Sequence, residues 1–356
     1  MKTGEENDSL LGFIESVAGD SHLRVEENLG SGYVRLRSSE AERRQAKHDI
    51  RSVEDIVIEL LRNARDANAG RIYLATTRDG EMRAMTVIDD GDGIPESMHA
   101  AIFEPRVTSK LDTMSMDRWG VHGRGMALFS IKSNVSKARV VCSGESLGAS
   151  IRVDVDTALL PEKADQSTAP QLERGRDGKV HVARGPHNIS RNVVEFALES
   201  QRNLSVYLGS PAEIVATLVD HGDELVPEPA GNPGAVPVCN RLADCGNAVE
   251  LVEAAASIGL TISERNAHRI LGGQIAALRP HLETVLSREG KKVAEPDIFK
   301  DSRALKIAKP DLDRFSRNLE SAFESIAAQY YLMLADEPII KVGKDSIKVT
   351  FPIEKE

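Results

Sequence analysis

Glu59, Asn63 and Asp66 stand four and three residues apart in the stretch EDIVIELLRNARDANA, residues 54 to 69. On a helix that spacing turns a carboxylate, an amide and a second carboxylate to one side. A positioned carboxylate can orient and deprotonate a water, a contribution of about 10²–10⁴ in rate. An amide oxygen suits a hard cation: Mg²⁺ takes octahedral oxygen ligands and keeps several waters, so Asn63 plus phosphate oxygens suffices. Asp89 opens DDGDGIP, residues 89 to 95. An ionised Asp at a strand end is an acceptor only and can take the exocyclic amine of adenine. Gly91 and Gly93 let backbone approach a flat base with no Cβ in the way. TSK at 108–110 precedes GVHGRG at 120–125, which opens a helix. Backbone amides at Gly123 and Gly125, feeding that helix N-terminus, form a nest for phosphate oxygens.

Each fragment has a bland reading. A Glu on a helix is usually solvated, Asp-x-Gly-x-Gly is a common turn, and a glycine run alone is a weak sign of phosphate binding. Asn63 on an apolar face can simply cap a neighbouring loop. Their occurrence in one order, each in a fitting structural context, outweighs those readings. No GxxxxGK[ST] sequence competes.

The elements that must position these residues follow from period and punctuation. LRVEENLGSGYVRLR (23 to 37) alternates around Gly-Ser-Gly and predicts a hairpin. A charged helix starts near Ser38 or Ser39 and runs on through the apolar stripe Ile50, Val53, Val57, Leu60, Leu61, Ala64 and Ala67. RIYLATTRD and RAMTVIDD read as strands joined at Asp79-Gly80, Ile102 to Val121 as a long loop, GMALFSIKSN as a helix, and ARVVCSG with GASIRVDVD as two more strands. The order predicts an α/β sandwich with helices on one face of a mixed sheet.

Boundaries are expected as follows: a tail over 1–20, the site domain over 21–157, a linker over 158–180, a small αβ segment over 181–225, a Pro/Gly linker over 226–240, and a mainly helical region over 241–356 ending in a hairpin around Gly343-Lys344-Asp345. Leu312, Leu319, Ile326 and Met333 recur every seven residues, which fits a dimer seam or a helix packed within one chain. AAASIGLTISERNAHRIL (254 to 271) has Ala255 and Gly259 at helix-turn-helix spacing, but Arg265 stands where an apolar residue is required.

The 356 residues carry a net charge of −10, which argues against a chain that coats nucleic acid non-specifically. Hydrophobic residues at 41% and charged residues at 28% are ordinary for a soluble globular protein. No apolar run is long enough for a bilayer, so no membrane association is expected. The N-terminus is acidic, without a secretory pattern, and a cytoplasmic location is expected. Cys142, Cys239 and Cys245 are too few for a disulfide framework and lack zinc-site spacing.

In this order the pieces resemble the GHKL superfamily, the Bergerat-fold ATPases that include gyrase B subunits, heat-shock chaperones, histidine kinases and MutL proteins. ELLRNARDA is similar to its N box, DDGDGIP to its G1 box and GVHGRGMALFSI to its G2 box. The boxes look closest to gyrase B and MutL-type domains, while IFEPRVTSK is similar to histidine kinases. The resemblance covers about residues 40 to 156 and implies ATP and Mg²⁺ as ligands. By position it makes Glu59 the general base, Asn63 the Mg²⁺ ligand, Asp66 a nucleotide-side or water-network residue and Asp89 the adenine contact, with Gly91 and Gly93 beneath. Lys110, Gly120, His122, Gly123, Arg124 and Gly125 would surround the phosphates. Ser150 is the nearest candidate for a threonine the family often places near adenine.

Histidine kinases carry Asn where this chain has Glu59, so the resemblance favours hydrolysis over transfer to a side chain. His48, eleven residues earlier on what reads as the same helix, is expected to be solvated. The implied activity is a slow ATPase whose lid closure and homodimerisation gate a protein partner, with nucleic acid a weaker candidate. Two alternatives stand beside it: a protein kinase of histidine-kinase or anti-sigma type, and a non-hydrolysing ATP-gated binding module.

Overall fold

A computed structural model describes residues 25–109, 115–117, 120–122, 125–175, 178–200, 204–222, 235–289, 309–327, 330, 332–342 and 347–355. The chain divides into two compact units, residues 1–289 and 290–356.

The first unit opens with β1 (Val25–Gly30) and β2 (Tyr33–Leu36), an antiparallel hairpin turning through Gly30 to Gly32, as the alternation predicts. The single helix expected next is two. Helix α1 (Glu40–Asp49) is capped by a reciprocal Ser39–Glu42 box, and α2 (Val53–Asp66) follows after an extended Ile50. Asp55 causes the break: its Oδ2 accepts from the backbone N–H groups of Arg51 and Ser52, at 2.8 and 3.0 Å, and so opens a new helix. Val53, Ile56, Val57, Leu60 and Leu61 of α2 are fully or almost fully buried, each worth about 1.5–3 kcal/mol over exposure.

Strands β3 (Arg71–Asp79) and β4 (Met82–Asp89) form the expected hairpin, with Gly80 at φ +56. In the stretch predicted as a loop, β5 (Val107–Thr108) pairs with β2, and β6 (Ser115–Asp117) pairs with β7 (Gly120–His122). Then come α3 (Ala127–Asn134), β8 (Lys137–Ser143) and β9 (Ala149–Asp156). A small hairpin, β10 (Gln171–Arg174) and β11 (Val180–Arg184), precedes α4 (Ile189–Glu199), and β12 (Ser205–Gly209) then adds to β3 in parallel. The central sheet has the order β12-β3-β4-β9-β8, and all its other pairings are antiparallel.

On one face of this mixed sheet, α2 and α4 pack over Ile72, Leu74, Met85, Val87, Ile151 and Val153. That is the expected sandwich, and a second helical layer covers the other face. Helices α5 (Pro211–His221), α6 (Ala248–Ser257) and α7 (Glu264–Leu271) cover Tyr73, Ala75, Ile88, Cys142 and Tyr207. Strands apolar on both faces need cover on both. Tyr73 and Tyr207 stack at 4.9 Å, and Tyr73 Oη pairs with His221 Nδ1 at 2.8 Å. Helix α8 (His281–Glu289) packs on α4 and β10.

In the second unit α9 (Lys309–Ala327) leads to two antiparallel pairs. These are β13 (Leu332–Leu334) with β16 (Ile353–Lys355), and the terminal hairpin β14 (Ile339–Val342) with β15 (Ile347–Thr350). Phe323 stacks on Phe351 at 4.8 Å, whereas Ile326 of the heptad stripe is exposed. The expected turn residues Gly343 to Asp345 lie outside the described residues. Among the described residues no helix is long and apolar enough to cross a membrane.

Candidate functional site

A cavity of about 400 Å³ opens between α2, the end of β4, β5 and the start of α3. Glu59, Asn63 and Asp66 all line it. Their presence on a core helix is thereby explained: the apolar stripe of α2 packs on the sheet while the neighbouring stripe faces the cavity. Asp89, Gly93, Gly125 and Ala149 line it from the sheet and the glycine turns.

Asp89 ends β4 and is 4% exposed. Burial pushes its carboxyl up to about 7, opposed by the Gly91 backbone N–H that donates to Oδ1 at 3.0 Å. The other acidic residues of DDGDGIP are stitched to the turn after α2. Asp90 Oδ1 accepts from the N–H groups of Gly70 and Arg71, both at 2.8 Å, and Asn68 Nδ2 donates to Asp92 Oδ2 at 2.7 Å. Two close approaches explain the glycines. A Cβ on Gly91 would stand 2.4 Å from the Ala67 carbonyl oxygen, and on Gly93, at φ +75, 1.9 Å from that of Gly144. Gly93 lines the cavity; Gly91 stands behind, holding Asp89.

The Glu59 side chain is 21% exposed, and burial pushes its carboxyl up while Arg62 opposes. Arg62 Nη1 donates to Glu59 Oε1 at 2.6 Å, and its Nε donates to Asp117 Oδ2 at 2.8 Å. Neither Arg62 nor Asp117 stood out in the sequence; the signal available was a cation three residues from Glu59 on the same helix.

Among the described residues, Asn63 Nδ2 is buried without a hydrogen-bond partner. The amide oxygen of Asn63 is the neutral hard donor that suits Mg²⁺ on this stripe. Among the described residues no group of three or more His, Cys, Asp or Glu is placed to hold a metal. A cation here would take most of its ligands from phosphate and water.

Ser150 belongs elsewhere. Strand alternation turns it to the outer face, where it is fully buried and its Oγ donates to the Ile258 carbonyl at 2.7 Å; Ala149 lines the cavity instead. Lys110, Gly123 and Arg124 lie outside the described residues, as does the side chain of His122; Gly120 and His122 form the ends of β7. His48 is exposed on α1, a helix separate from that of Glu59.

Residues 48–165 match the family described as histidine kinase-, DNA gyrase B- and HSP90-like ATPase. Among curated proteins, the DNA mismatch repair protein MutL of Thermus aquaticus is 40% identical over 82 residues, 23% of this chain and 15% of that protein. MutL of Lactiplantibacillus plantarum is 35% identical over 124 residues, 34% of this chain and 17% of its own length. MutL of Staphylococcus aureus is 31% identical over 138 residues, covering 37% and 20%. The chain thus spans a fifth or less of the length of each of these three relatives.

Proposed function

We propose that this chain, which carries a GHKL-type ATP-binding domain over residues 48–165, is a slow Mg²⁺-dependent ATPase whose nucleotide-driven closure and homodimerisation gate a partner. The observation that carries this reading is that Glu59, Asn63, Asp66, Asp89 and Gly93 line one cavity together.

Asp89 accepts the exocyclic amine of adenine while the Gly91 N–H steadies its other side. Asn63 would hold Mg²⁺ through its amide oxygen. When bound, the metal neutralises charge on the phosphate oxygens. Glu59 accepts a proton from a water as the water oxygen bonds to the γ-phosphorus. The bond from that phosphorus to the β–γ bridging oxygen breaks, and its electron pair leaves with ADP. Asp66 belongs to the water network on the nucleotide side. By the resemblance, Lys110, Gly120, His122, Gly123, Arg124 and Gly125 are the residues assigned to the phosphates. The relatives are DNA mismatch repair proteins by name, so DNA, or a protein that acts on it, is the partner to test first.

The test uses ATP labelled at the γ-phosphate. Wild-type protein releases labelled phosphate, whereas Glu59→Ala binds ATP with affinity within a few-fold of wild type and loses turnover by about 10²–10⁴. Label retained on the protein would instead mark a kinase. Equal loss of binding and turnover in Glu59→Ala would remove Glu59 from the role of base.

A further inference from the structure

Arg62 lines the cavity three residues from Glu59 on the same helix, and its side chain is 3% exposed. Such a pair on an exposed helix face contributes a few tenths of a kcal/mol. Here the guanidinium is desolvated, a cost that a packed methionine or leucine would avoid.

Its donors are divided between two acids. Nη1 takes Glu59 Oε1 at 2.6 Å, while Nε, at 2.8 Å, and Nη2 grip the two oxygens of Asp117 in a planar fork. Asp117 sits at the end of β6, its side chain 7% exposed, with Arg65 Nη1 also near its Oδ2 at 3.6 Å. Among the described residues, no hydrogen bond goes to Glu59 Oε2. One carboxylate oxygen is therefore fixed by the guanidinium, and the other is left to accept from water. Asp117 and Asp49 both place negative charge near Glu59, and Arg62 opposes their effect on it.

We propose that Arg62 is a positioning residue for hydrolysis: it holds Glu59 with Oε2 toward the attacking water and is itself anchored by Asp117 of the β6–β7 hairpin. The inference rests on the ATPase reading above. In the step itself the proton passes from water to Glu59 Oε2 as the phosphorus–oxygen bond to ADP breaks. Arg62 neither gives nor takes a proton.

The experiment measures ATP affinity by calorimetry with Mg²⁺, phosphate release at saturating ATP, and melting temperature, for wild type, Arg62→Ala, Arg62→Lys and Asp117→Asn. Arg62→Ala is expected to keep its ATP Kd within about threefold while kcat falls about 10- to 100-fold, the cost of a misplaced catalytic group. Arg62→Lys keeps the charge without the fork and recovers part of the loss. Asp117→Asn falls between wild type and Arg62→Ala. A kcat for Arg62→Ala within twofold of wild type overturns the inference. So do ATP affinity, kcat and melting temperature falling together in both Arg62 variants, since that marks a structural bridge. If Arg62→Ala fails to fold, Arg62→Lys and Asp117→Asn decide: lowered kcat at unchanged Kd supports the role, and unchanged kcat overturns it. Wild-type protein that binds ATP and releases no phosphate defeats the ATPase reading itself, a result distinct from any of these.

Discussion

Raising the pH from 6 to 8 should tighten adenine-nucleotide binding through one carboxyl group. Asp89 is buried at the cavity wall, and its carboxyl is pushed up to about 7 by burial, with the negative charges of Asp90 and Asp92 adding to the effect and the Gly91 N–H opposing it. An ionised carboxylate only accepts and so matches the amine of adenine. With a midpoint of about 7 the ionised fraction is roughly 0.09 at pH 6 and about 0.9 at pH 8, so the apparent ADP affinity should rise about tenfold. The phosphates of ADP also titrate in this range, so calorimetric titrations are run in parallel on Asp89→Asn, whose side chain has no proton to lose. The ratio of wild-type to variant affinity carries the Asp89 contribution. The free protein should respond with the opposite sign. Between pH 4 and 7 the folded state retains a proton that the unfolded chain, near its ordinary value of 3.8, has lost. Unfolding free energy therefore falls as pH rises through that window, by up to about 4 kcal/mol, and levels off above it. Asp89→Asn abolishes that fall. An affinity ratio that grew as the pH dropped would mean that the neutral acid pairs with the ring by donating to it, and the argument from the ionised group would be refuted.

Two further expectations follow from the geometry. Asn63→Ala should lose the Mg²⁺-dependent part of ATP affinity and keep whatever remains in EDTA; calorimetry with and without the metal separates the two. Ser150→Ala should leave nucleotide affinity unchanged, because its hydroxyl faces away from the cavity, yet lower unfolding free energy in urea by about 1 kcal/mol through the lost bond to the Ile258 carbonyl.

The parts of this molecule legible in its sequence are those where the local pattern decides the outcome. The stripe of α2 and the hairpin through Gly80 were readable because period and punctuation act over a few residues. What failed has a different cause in each case. Ser150 was assigned by its neighbourhood in sequence, but in a strand one residue decides the face, and Ser150 and Ala149 face opposite ways. The break between α1 and α2 was hidden because the apolar stripe runs straight through it, while the stop comes from Asp55 reaching back to two amides. The Arg62–Asp117 contact joins residues 55 apart and has no local signature.

The second helical layer bears on how this domain can be handled. Thr86 Oγ1 and Arg152 Nη1 donate to the Gly259 carbonyl, at 3.1 and 3.0 Å, and the Val238 N–H donates to the Leu147 carbonyl at 2.8 Å, beside the loop that backs Gly93. A fragment trimmed at residue 165, where the family match ends, would strip β12 from β3 and bare Tyr73, Ile88 and Cys142. An open strand edge beside an uncovered apolar face invites other chains to pair there. A piece that keeps these layers covered therefore runs to the end of α8, where the first unit ends, and the residues that back β4 are as much part of its cavity as those that face it.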